Sequence, residues 1–566
     1  MANTKIDALT SLRFFAAAAI VVCHCPGHFG FPTTLGQPFE LAQGVSFFFV
    51  LSGFILSLVY GRDLSEAPTW GARLKFIVAR FARIWPLHVT TLVIMAFLLP
   101  DKWLASFTPG HLFCSLTLIQ AWIPEFATSF AFNSVSWSLS AELFFYLMFP
   151  LLILNYKQNW WKNLAYTFGA VLFFAVLSKV LKLPELTNYG VSYHELMYVS
   201  PFTRLFEFAL GISVFALSER IKSWYNARSV VTSTVFEVAS LALVVFFDYK
   251  TLKISHALAN FTGLGEPFYT WLKYGGSACL AFALLILVYS FQRGLLSRIL
   301  SLKPLVYLGE ISFSVYLMHR MLLHYYYDHF STIEGLVPCA LYWLVLLASS
   351  QLLYEFVECP FRSAIVSGYK SWNQKDRSGS IRDWLPKLRL TRLSTALSMS
   401  SLAFLLVVPS IVYHGPRLAF VEPFAPGVNA PVLGKFGDSV ELVSAQYKGV
   451  DSSGKKHLEL TWRSLKEQKL LGFVGVQLYT PEQIYYKRRD YKRSNHEEMV
   501  QPGQVWVDKV ALSADEGSQT AQVRLSIYGI GANLGTLEAK LMNGEGASSV
   551  STSQLSVAIK KGALSL

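Results

Sequence analysis

Residues 12–24 read Leu12-Arg13-Phe14-Phe15-Ala16-Ala17-Ala18-Ala19-Ile20-Val21-Val22-Cys23-His24. This stretch predicts a membrane-spanning helix that is interrupted by one arginine and ends in a histidine. Eleven helical residues return to within about 20° of the same face, so Arg13 and His24 lie on one stripe, about 16 Å apart along the axis. An arginine inside a span faces a bundle interior or a wet cavity, where it marks a site. The alternative is that Arg13 reaches the inner membrane surface and His24 reaches the outer one.

The composition predicts an integral membrane protein and excludes a soluble enzyme. The chain has 566 residues, of which 53% are hydrophobic and 15% charged, and its mean hydropathy is +0.39. A helix needs about 20 apolar residues to cross the hydrocarbon core. Eleven segments fit this length: 7–24, 42–60, 84–100, 137–155, 164–178, 202–217, 230–248, 275–291, 304–319, 337–357 and 396–413. Because Arg13 interrupts the first segment and ten more follow, we expect that segment to be retained rather than cleaved as a signal peptide.

The distribution of basic residues predicts the orientation. With the N-terminus in the cytoplasm, the inner loops hold 21 Lys and Arg residues and the outer loops hold seven, as the positive-inside rule requires. We therefore expect a multi-pass protein of a bacterial-type inner (cytoplasmic) membrane. The net charge of +13 then reflects membrane topology, so it does not indicate nucleic acid as a partner.

An odd number of spans places the C-terminal part outside the cytoplasm. Residues 414–566 contain short alternating stretches divided by Ser, Gly and Asp, such as 458–462, 472–479 and 523–528, which predict a soluble all-β sandwich. All six cysteines precede it, so we expect no disulfide framework there. The predicted organisation is a membrane domain (1–362), a basic cytoplasmic linker (363–395), an eleventh transmembrane helix (396–413) and the extracytoplasmic β-sandwich (414–566).

Two arginines precede the third predicted span. Arg80 and Arg83 are three residues apart in Arg80-Phe81-Ala82-Arg83-Ile84-Trp85-Pro86, so they share a helix face at its cytoplasmic mouth. The guanidinium fork binds oxyanions through two parallel hydrogen bonds, which suits a phosphate or pyrophosphate. Ordinary positive-inside anchoring is the alternative interpretation.

Three further spans carry polar side chains. Ser136-Trp137-Ser138-Leu139-Ser140-Ala141-Glu142 opens the fourth span, and Glu142 is a site candidate because an intramembrane carboxylate needs a partner. A structural ion pair is the competing account. Arg204 and Glu207 lie at i and i+3, which favours an internal structural pair. In the ninth predicted span, 304–319, Ser312 and His319 lie on one face.

The sequence Cys23-His24-Cys25 does not predict a metal centre. Consecutive helical residues diverge by about 100° and cannot close one tetrahedral site. We expect no bound metal.

Together these segments resemble the acyltransferase-3 family of membrane acyltransferases, which O-acylate cell-surface sugars. The resemblance covers residues 5 to about 362. The motifs that carry it, in order, are Leu12-Arg13 followed by His24, Phe48-Phe49-Val50-Leu51-Ser52-Gly53-Phe54, Arg80 and Arg83 before Ile84-Trp85-Pro86, Trp137-Ser138-Leu139-Ser140-Ala141-Glu142, Arg204 to Gly211, Gly309 to His319, and Glu358-Cys359-Pro360-Phe361-Arg362.

The resemblance implies roles for individual residues. Arg13 and His24 match the family's essential Arg-x10-His pair, Arg80 and Arg83 its donor-linked Arg-x-x-Arg element, and Glu142 its glutamate. The chain departs from the family at Thr10, where many members carry an aspartate. Further site candidates are His319, Trp137, Ser138, Arg204 and Glu207.

The expected activity is acyl transfer to a hydroxyl of a cell-surface or lipid-linked glycan, such as a polysaccharide or lipopolysaccharide. The donor substrate would be acyl-CoA, chiefly acetyl-CoA, with no bound cofactor. A base must take the hydroxyl proton. His24 is the first candidate for this base, His319 is the second, and Glu142 would orient His24 or stabilise its imidazolium. Direct transfer and a covalent acyl intermediate both remain open.

Two other functional classes fit the same pattern. In a transporter or flippase for a lipid-linked sugar, the buried charges would bind and move the substrate without reacting. The C-terminal part resembles β-sandwich modules appended to bacterial envelope glycosyltransferases, which implies an accessory domain or, alone, a polysaccharide receptor. Its run 485–493 mixes cations with aromatic residues and would suit an anionic glycan or lipid head groups, or form a solvated loop.

Overall fold

The structure is a computed structural model. It describes residues 5–25, 29, 39–66, 69–187, 190–330 and 335–373, together with the backbone of strands between residues 434 and 565. The chain divides into two compact units, Met1–Tyr413 and His414–Leu566. The predicted eleventh span, 396–413, lies outside the described residues.

The first unit is helical, as expected for a chain that must satisfy its backbone hydrogen bonds within the hydrocarbon. Its helices are α1 (Asp7–His24), α2 (Gly44–Ser65), α3 (Trp70–Leu98), α4 (Pro100–Ser106), α5 (Pro109–Thr117), α6 (Phe126–Ser129), α7 (Trp137–Leu152), α8 (Tyr156–Val180), α9 (Pro201–Asn226), α10 (Val230–Thr262), α11 (Glu266–Trp271), α12 (Cys279–Ser290), α13 (Leu295–Leu300), α14 (Lys303–Phe330), α15 (Leu336–Leu353) and α16 (Cys359–Asn373). Single π-helical turns occur at Glu195–Val199, Leu272–Gly276 and Tyr354–Glu358.

Nine helical segments within the described residues are long and apolar enough to cross a membrane. They correspond to nine of the first ten predicted spans, which supports a polytopic membrane protein. The remaining predicted span, 304–319, lies in α14. That helix has 28 residues, but Glu310, His319 and Arg320 make it too polar to count among the nine.

Helices α1 and α14 pack side by side and run in the same direction. Lys5 Nζ lies 2.6 Å from Glu310 Oε1 at one end, and His24 contacts His319 at the other. Gly309 lies against the α1 backbone, where a β-carbon would collide with the carbonyl of Thr10. This contact brings together residues almost 300 positions apart.

Helices α2 and α9 approach each other through two glycines. A β-carbon on Gly53 would collide with the Phe208 carbonyl, and one on Gly211 would collide with the Val50 carbonyl. Small residues at such a crossing allow close backbone packing within a membrane. Gly53 and Gly211 therefore allow the backbones of α2 and α9 to lie in direct contact.

The second unit contains strands, all in antiparallel pairs. They are β1 (Gly434–Phe436), β2 (Val440–Val450), β3 (Lys456–Ser464), β4 (Gln468–Lys469), β5 (Phe473–Tyr479), β6 (Tyr485–Lys492), β7 (Met499–Val500), β8 (Val505–Leu512), β9 (Gln522–Tyr528), β10 (Ala539–Leu541), β11 (Gln554–Lys560) and β12 (Ala563–Ser565). Two sheets have the orders β10-β1-β2-β3-β8 and β12-β11-β9-β5-β6, and β4 pairs with β7. That the sheets form a sandwich stays a prediction.

Candidate functional site

A cavity of about 170 Å³ lies inside the helical unit, among α1, α2, α3, α7 and α14. Its polar lining consists of Arg13, Ser52, Arg80, Arg83, Ser138, Glu142, Tyr146, Ser312 and Tyr316. Phenylalanine and aliphatic side chains complete the walls. Five candidates from the sequence therefore meet in one place, although they come from three widely separated parts of the chain.

The two arginines of α3 have different partners. Arg80 donates from Nη2 to the Tyr60 hydroxyl over 3.0 Å, and its guanidinium lies 5.1 Å from the centroid of the same ring. Arg83 forms an ion pair with Glu358, whose side chain is 1% exposed. The Glu358 carboxylate comes from the π-helical turn Tyr354–Glu358.

Glu142 faces the same cavity as Arg13, and the two charges attract each other. The Glu142 Oε1 atom accepts hydrogen bonds from Tyr146 at 2.5 Å and from Ser52 at 3.3 Å. Tyr146 lies one turn beyond Glu142 on α7. The cavity lining holds three guanidinium groups and one carboxylate, and Glu358 pairs with Arg83 from outside the lining. One positive charge is left over, which favours an anionic ligand.

His24 lies against His319 rather than in the lining of this cavity. The Nδ1 atom of His24 is 3.0 Å from Nε2 of His319, and the two rings stack with centroids 5.1 Å apart and planes 25° apart. His319 is completely buried. The two histidines that the sequence offered as first and second choice of base therefore form one pair.

The hydrogen bonds of His319 fix how this pair is protonated. Its Nδ1 atom is 2.5 Å from the Tyr316 carbonyl oxygen, which can only accept, so Nδ1 carries the proton. In the neutral ring, Nε2 then accepts a hydrogen bond from Nδ1 of His24. The Nε2 atom of His24 is left with the lone pair, which is the form a general base requires.

Tyr316 connects the histidine pair to the cavity. Its ring lines the cavity and lies 5.8 Å from the His319 ring. Its hydroxyl is 2.9 Å from Ser138 Oγ and donates to the Val135 carbonyl over 3.0 Å. Trp137, by contrast, is buried and packs edge-on against Phe49, with ring planes 84° apart.

Arg204 and Glu207 form a second buried charge pair, as their spacing predicts. Their charged atoms are 3.3 Å apart, and both side chains are completely buried. Arg204 also donates to Ser46 Oγ over 2.8 Å and to the Tyr274 carbonyl over 3.2 Å. A β-carbon on Gly275 would collide with this network. These contacts hold α2, α9 and the π-helical turn together, which supports the structural interpretation.

The described residues contain no group of three or more His, Cys, Asp or Glu side chains that could hold a metal ion. Burial raises the pKa of the Cys25 thiol, just beyond α1, to about 12. This thiol therefore stays protonated at neutral pH, whereas metals bind the thiolate.

Sequence reasoning missed several residues of the site. Tyr60, Tyr316 and Glu358 each contact a candidate residue, yet none was singled out as a site residue. Glu358 did carry a signal, because a carboxylate at the end of an apolar segment needs a partner. Tyr60 and Tyr316 carried none, since tyrosine is common in membrane helices.

Comparison with known proteins identifies relatives. The acyltransferase domain family matches residues 6–354. Acyltransferase MdmB of Streptomyces mycarofaciens is 30% identical over 347 residues, which cover 57% of this chain and 80% of that protein. O-acetyltransferase OatA of Staphylococcus aureus (strain MRSA252) is 24% identical over 434 residues, which cover 72% of this chain and 62% of that protein. The chain thus spans less than two thirds of OatA. No solved structure gives a significant match.

Proposed function

Since the chain belongs to the acyltransferase-3 family and is a membrane O-acyltransferase, we propose that it moves an acetyl group from acetyl-CoA to a hydroxyl of a cell-surface or lipid-linked glycan. One observation carries this proposal. A cavity lined by Arg13, Arg80 and Arg83 is connected through Tyr316 to a pair of contacting histidines. Transfer from a coenzyme A thioester needs a cavity that binds the anionic donor and a general base next to that cavity.

Donor binding is assigned to the arginine end of the cavity. The phosphates of the donor bind Arg80 and Arg83, and the pantetheine arm reaches along the cavity toward His24. The separation of about 16 Å between Arg13 and His24 along α1 suits an extended arm of this kind. Glu142 balances the charge of Arg13, and His319 takes over the orienting role that the sequence suggested for Glu142.

Acyl transfer then needs one proton to move twice. The oxygen of the acceptor hydroxyl attacks the thioester carbonyl, and His24 Nε2 takes the proton of that hydroxyl. When the carbon–sulfur bond breaks, the same proton passes to the leaving thiolate of coenzyme A. Hydrogen bonding to His319 keeps His24 Nδ1 protonated, so that Nε2 is the basic atom in each cycle.

The membrane orientation follows from the charge pattern. The N-terminus and the basic loops lie in the cytoplasm, where acetyl-CoA is made, and residues 414–566 lie outside as an accessory β-sandwich. The parallel packing of α1 and α14 fits the predicted number of spans between them, because the first and ninth spans cross in the same direction whichever side the N-terminus lies on.

Radiolabelled acetyl-CoA supplied to membranes that contain the protein tests the proposal. Label should enter a glycan with the unmodified protein and not with His24→Ala. The matched control is His329→Ala, which changes an exposed histidine on α14. Acylation that continues in the His24 variant would contradict the assignment. Movement of a lipid-linked sugar across the membrane without transfer of label to it would favour the flippase alternative.

A further inference from the structure

A second cavity, of about 260 Å³, lies between α8, α9 and α12. We call it the lateral groove. Residues that form its walls include Trp160, Leu164, Leu210, Val214, Leu284 and Leu287. Leu217 and Leu284 are 45% and 37% exposed, so the groove opens to the outside of the bundle rather than to the arginine-lined cavity.

The lateral groove is apolar along its length and basic at one end. Arg220 is its charged lining residue, and Ser213 adds a hydroxyl. Arg220 is exposed and donates from Nη2 to the Lys157 carbonyl over 2.7 Å. This contact uses one of five guanidinium donors. The side chain of Lys157 is exposed, and its ammonium lies 5.9 Å from the centroid of the Tyr156 ring.

The carboxylate next to Arg220 in sequence has another partner. Glu219 accepts a hydrogen bond from the Tyr156 hydroxyl. The positive charge at this end of the groove is therefore available to an external anion.

The length of the groove matches one leaflet of a bilayer. Leu210 and Arg220 are ten residues apart on α9, which corresponds to about 15 Å along the helix axis. This is half of the hydrocarbon thickness of about 30 Å. A ligand that fills the groove from end to end needs an apolar chain as long as one leaflet is deep. It also needs an anionic group at the membrane surface.

We propose that the lateral groove is a binding site for an anionic phospholipid, with an acyl chain between α8 and α12 and the phosphate on Arg220. Arginine binds phosphate through two parallel hydrogen bonds, and basic pockets between transmembrane helices recognise acidic lipid head groups. The site shares no lining residue with the catalytic cavity. Its location is therefore separate from the site of the proposed reaction.

Thermal unfolding of the purified full-length protein in detergent tests the site. Dioleoylphosphatidylglycerol should raise the unfolding temperature more than dioleoylphosphatidylcholine. In Arg220→Gln the concentration of phosphatidylglycerol that gives half of this rise should increase about fivefold. Lys222→Gln is the matched control, because Lys222 is an exposed cation on the same helix outside the groove. It should respond like the unmodified protein.

Three results would overturn the proposal. The first is equal stabilisation by the two lipids, which would mean that only the apolar chain is bound. The second is an unchanged lipid response in Arg220→Gln. The third is the same stabilisation by glycerol phosphate without acyl chains, which would indicate a site for a soluble phosphate. Arg220→Lys keeps the charge and should retain most of the lipid response, which separates loss of binding from loss of folding.

Discussion

Arg13 and His24 lie on one face of one helix but serve two neighbouring sites. Arg13 faces the cavity with Glu142, and His24 contacts His319 beyond the end of that cavity. Burial makes each of these groups dependent on its partner, because an unpaired charge or polar atom inside a membrane protein is unfavourable by several kcal/mol. The role of each candidate residue therefore has to be inferred together with the residue that it contacts.

At this scale we predict that His319 is a positioning residue. In His319→Gln the amide oxygen can still accept the hydrogen bond from His24 Nδ1, so most acetyl transfer should remain. In His319→Ala that acceptor is lost, and the rate should fall about 100-fold or more, as when a catalytic histidine loses its orienting partner. The measurement is kcat against pH for both variants.

The pH profile separates positioning from mere packing. If His319 only fills space, both variants should lose activity through unfolding and the surviving enzyme should keep the same profile. A changed profile in His319→Ala alone supports the positioning role. Equal and full activity in both variants would contradict it.

Several site residues could be predicted from the sequence because each interrupts an apolar span. Arg13 and Glu142 stand out for this reason, and Arg80 and Arg83 stand out because they share a helix face directly before a span. The structure brings all four to one cavity. The pairing of His24 with His319 could not be predicted. It depends on which helix packs against α1, and spacing within a helix carries no information about that.

At the scale of the element, the π-helical turn Tyr354–Glu358 supplies a carboxylate to α3. The Arg83–Glu358 pair joins α3 to the π-helical turn that precedes α16. Breaking a buried ion pair from one side leaves an uncompensated charge, which is destabilising by about 3–5 kcal/mol.

We therefore predict that Arg83→Gln lowers the unfolding temperature of the detergent-solubilised protein strongly. The double variant Arg83→Gln/Glu358→Gln should recover most of that stability, because no charge is left buried alone. Donor affinity should stay low in both, since Arg83 is lost in each. Recovery of acetyl-CoA binding in the double variant would remove Arg83 from the donor site.

The crossing of α2 and α9 gives a second prediction at this scale. Gly211→Ala should destabilise the protein by about 1–3 kcal/mol, because the added methyl group collides with the α2 backbone. Gly169→Ala in α8 is the matched control, since a β-carbon there meets no atom within 4 Å. Thermal unfolding of both variants measures the difference, and equal stability would show that the helices do not approach closely.

At the scale of the whole molecule, the charged groups assigned to chemistry lie in the helical unit, before residue 320. The strand-forming unit after His414 adds surface-type cations and aromatic residues according to its sequence. A binding module attached to an enzyme raises the local concentration of its ligand without contributing to the reaction.

Truncation after Tyr413 should therefore leave acetyl transfer to a small soluble sugar intact and reduce transfer to a polymeric or lipid-linked glycan. The measurement is the ratio of the two rates in membranes that contain equal amounts of full-length and truncated protein. If the truncated protein inserts normally but transfers nothing to the small sugar, the tail completes the active site instead.

The partnership of α1 with α14 also has a consequence for biosynthesis. His24 and His319 are 295 positions apart in the chain, so a ribosome that adds 5–20 residues per second needs about 15–60 s to make the second after the first. During that interval α1 sits in the membrane with its arginine and histidine before their final neighbours exist. The contact between His24 and His319 can therefore form only after α14 has emerged from the ribosome.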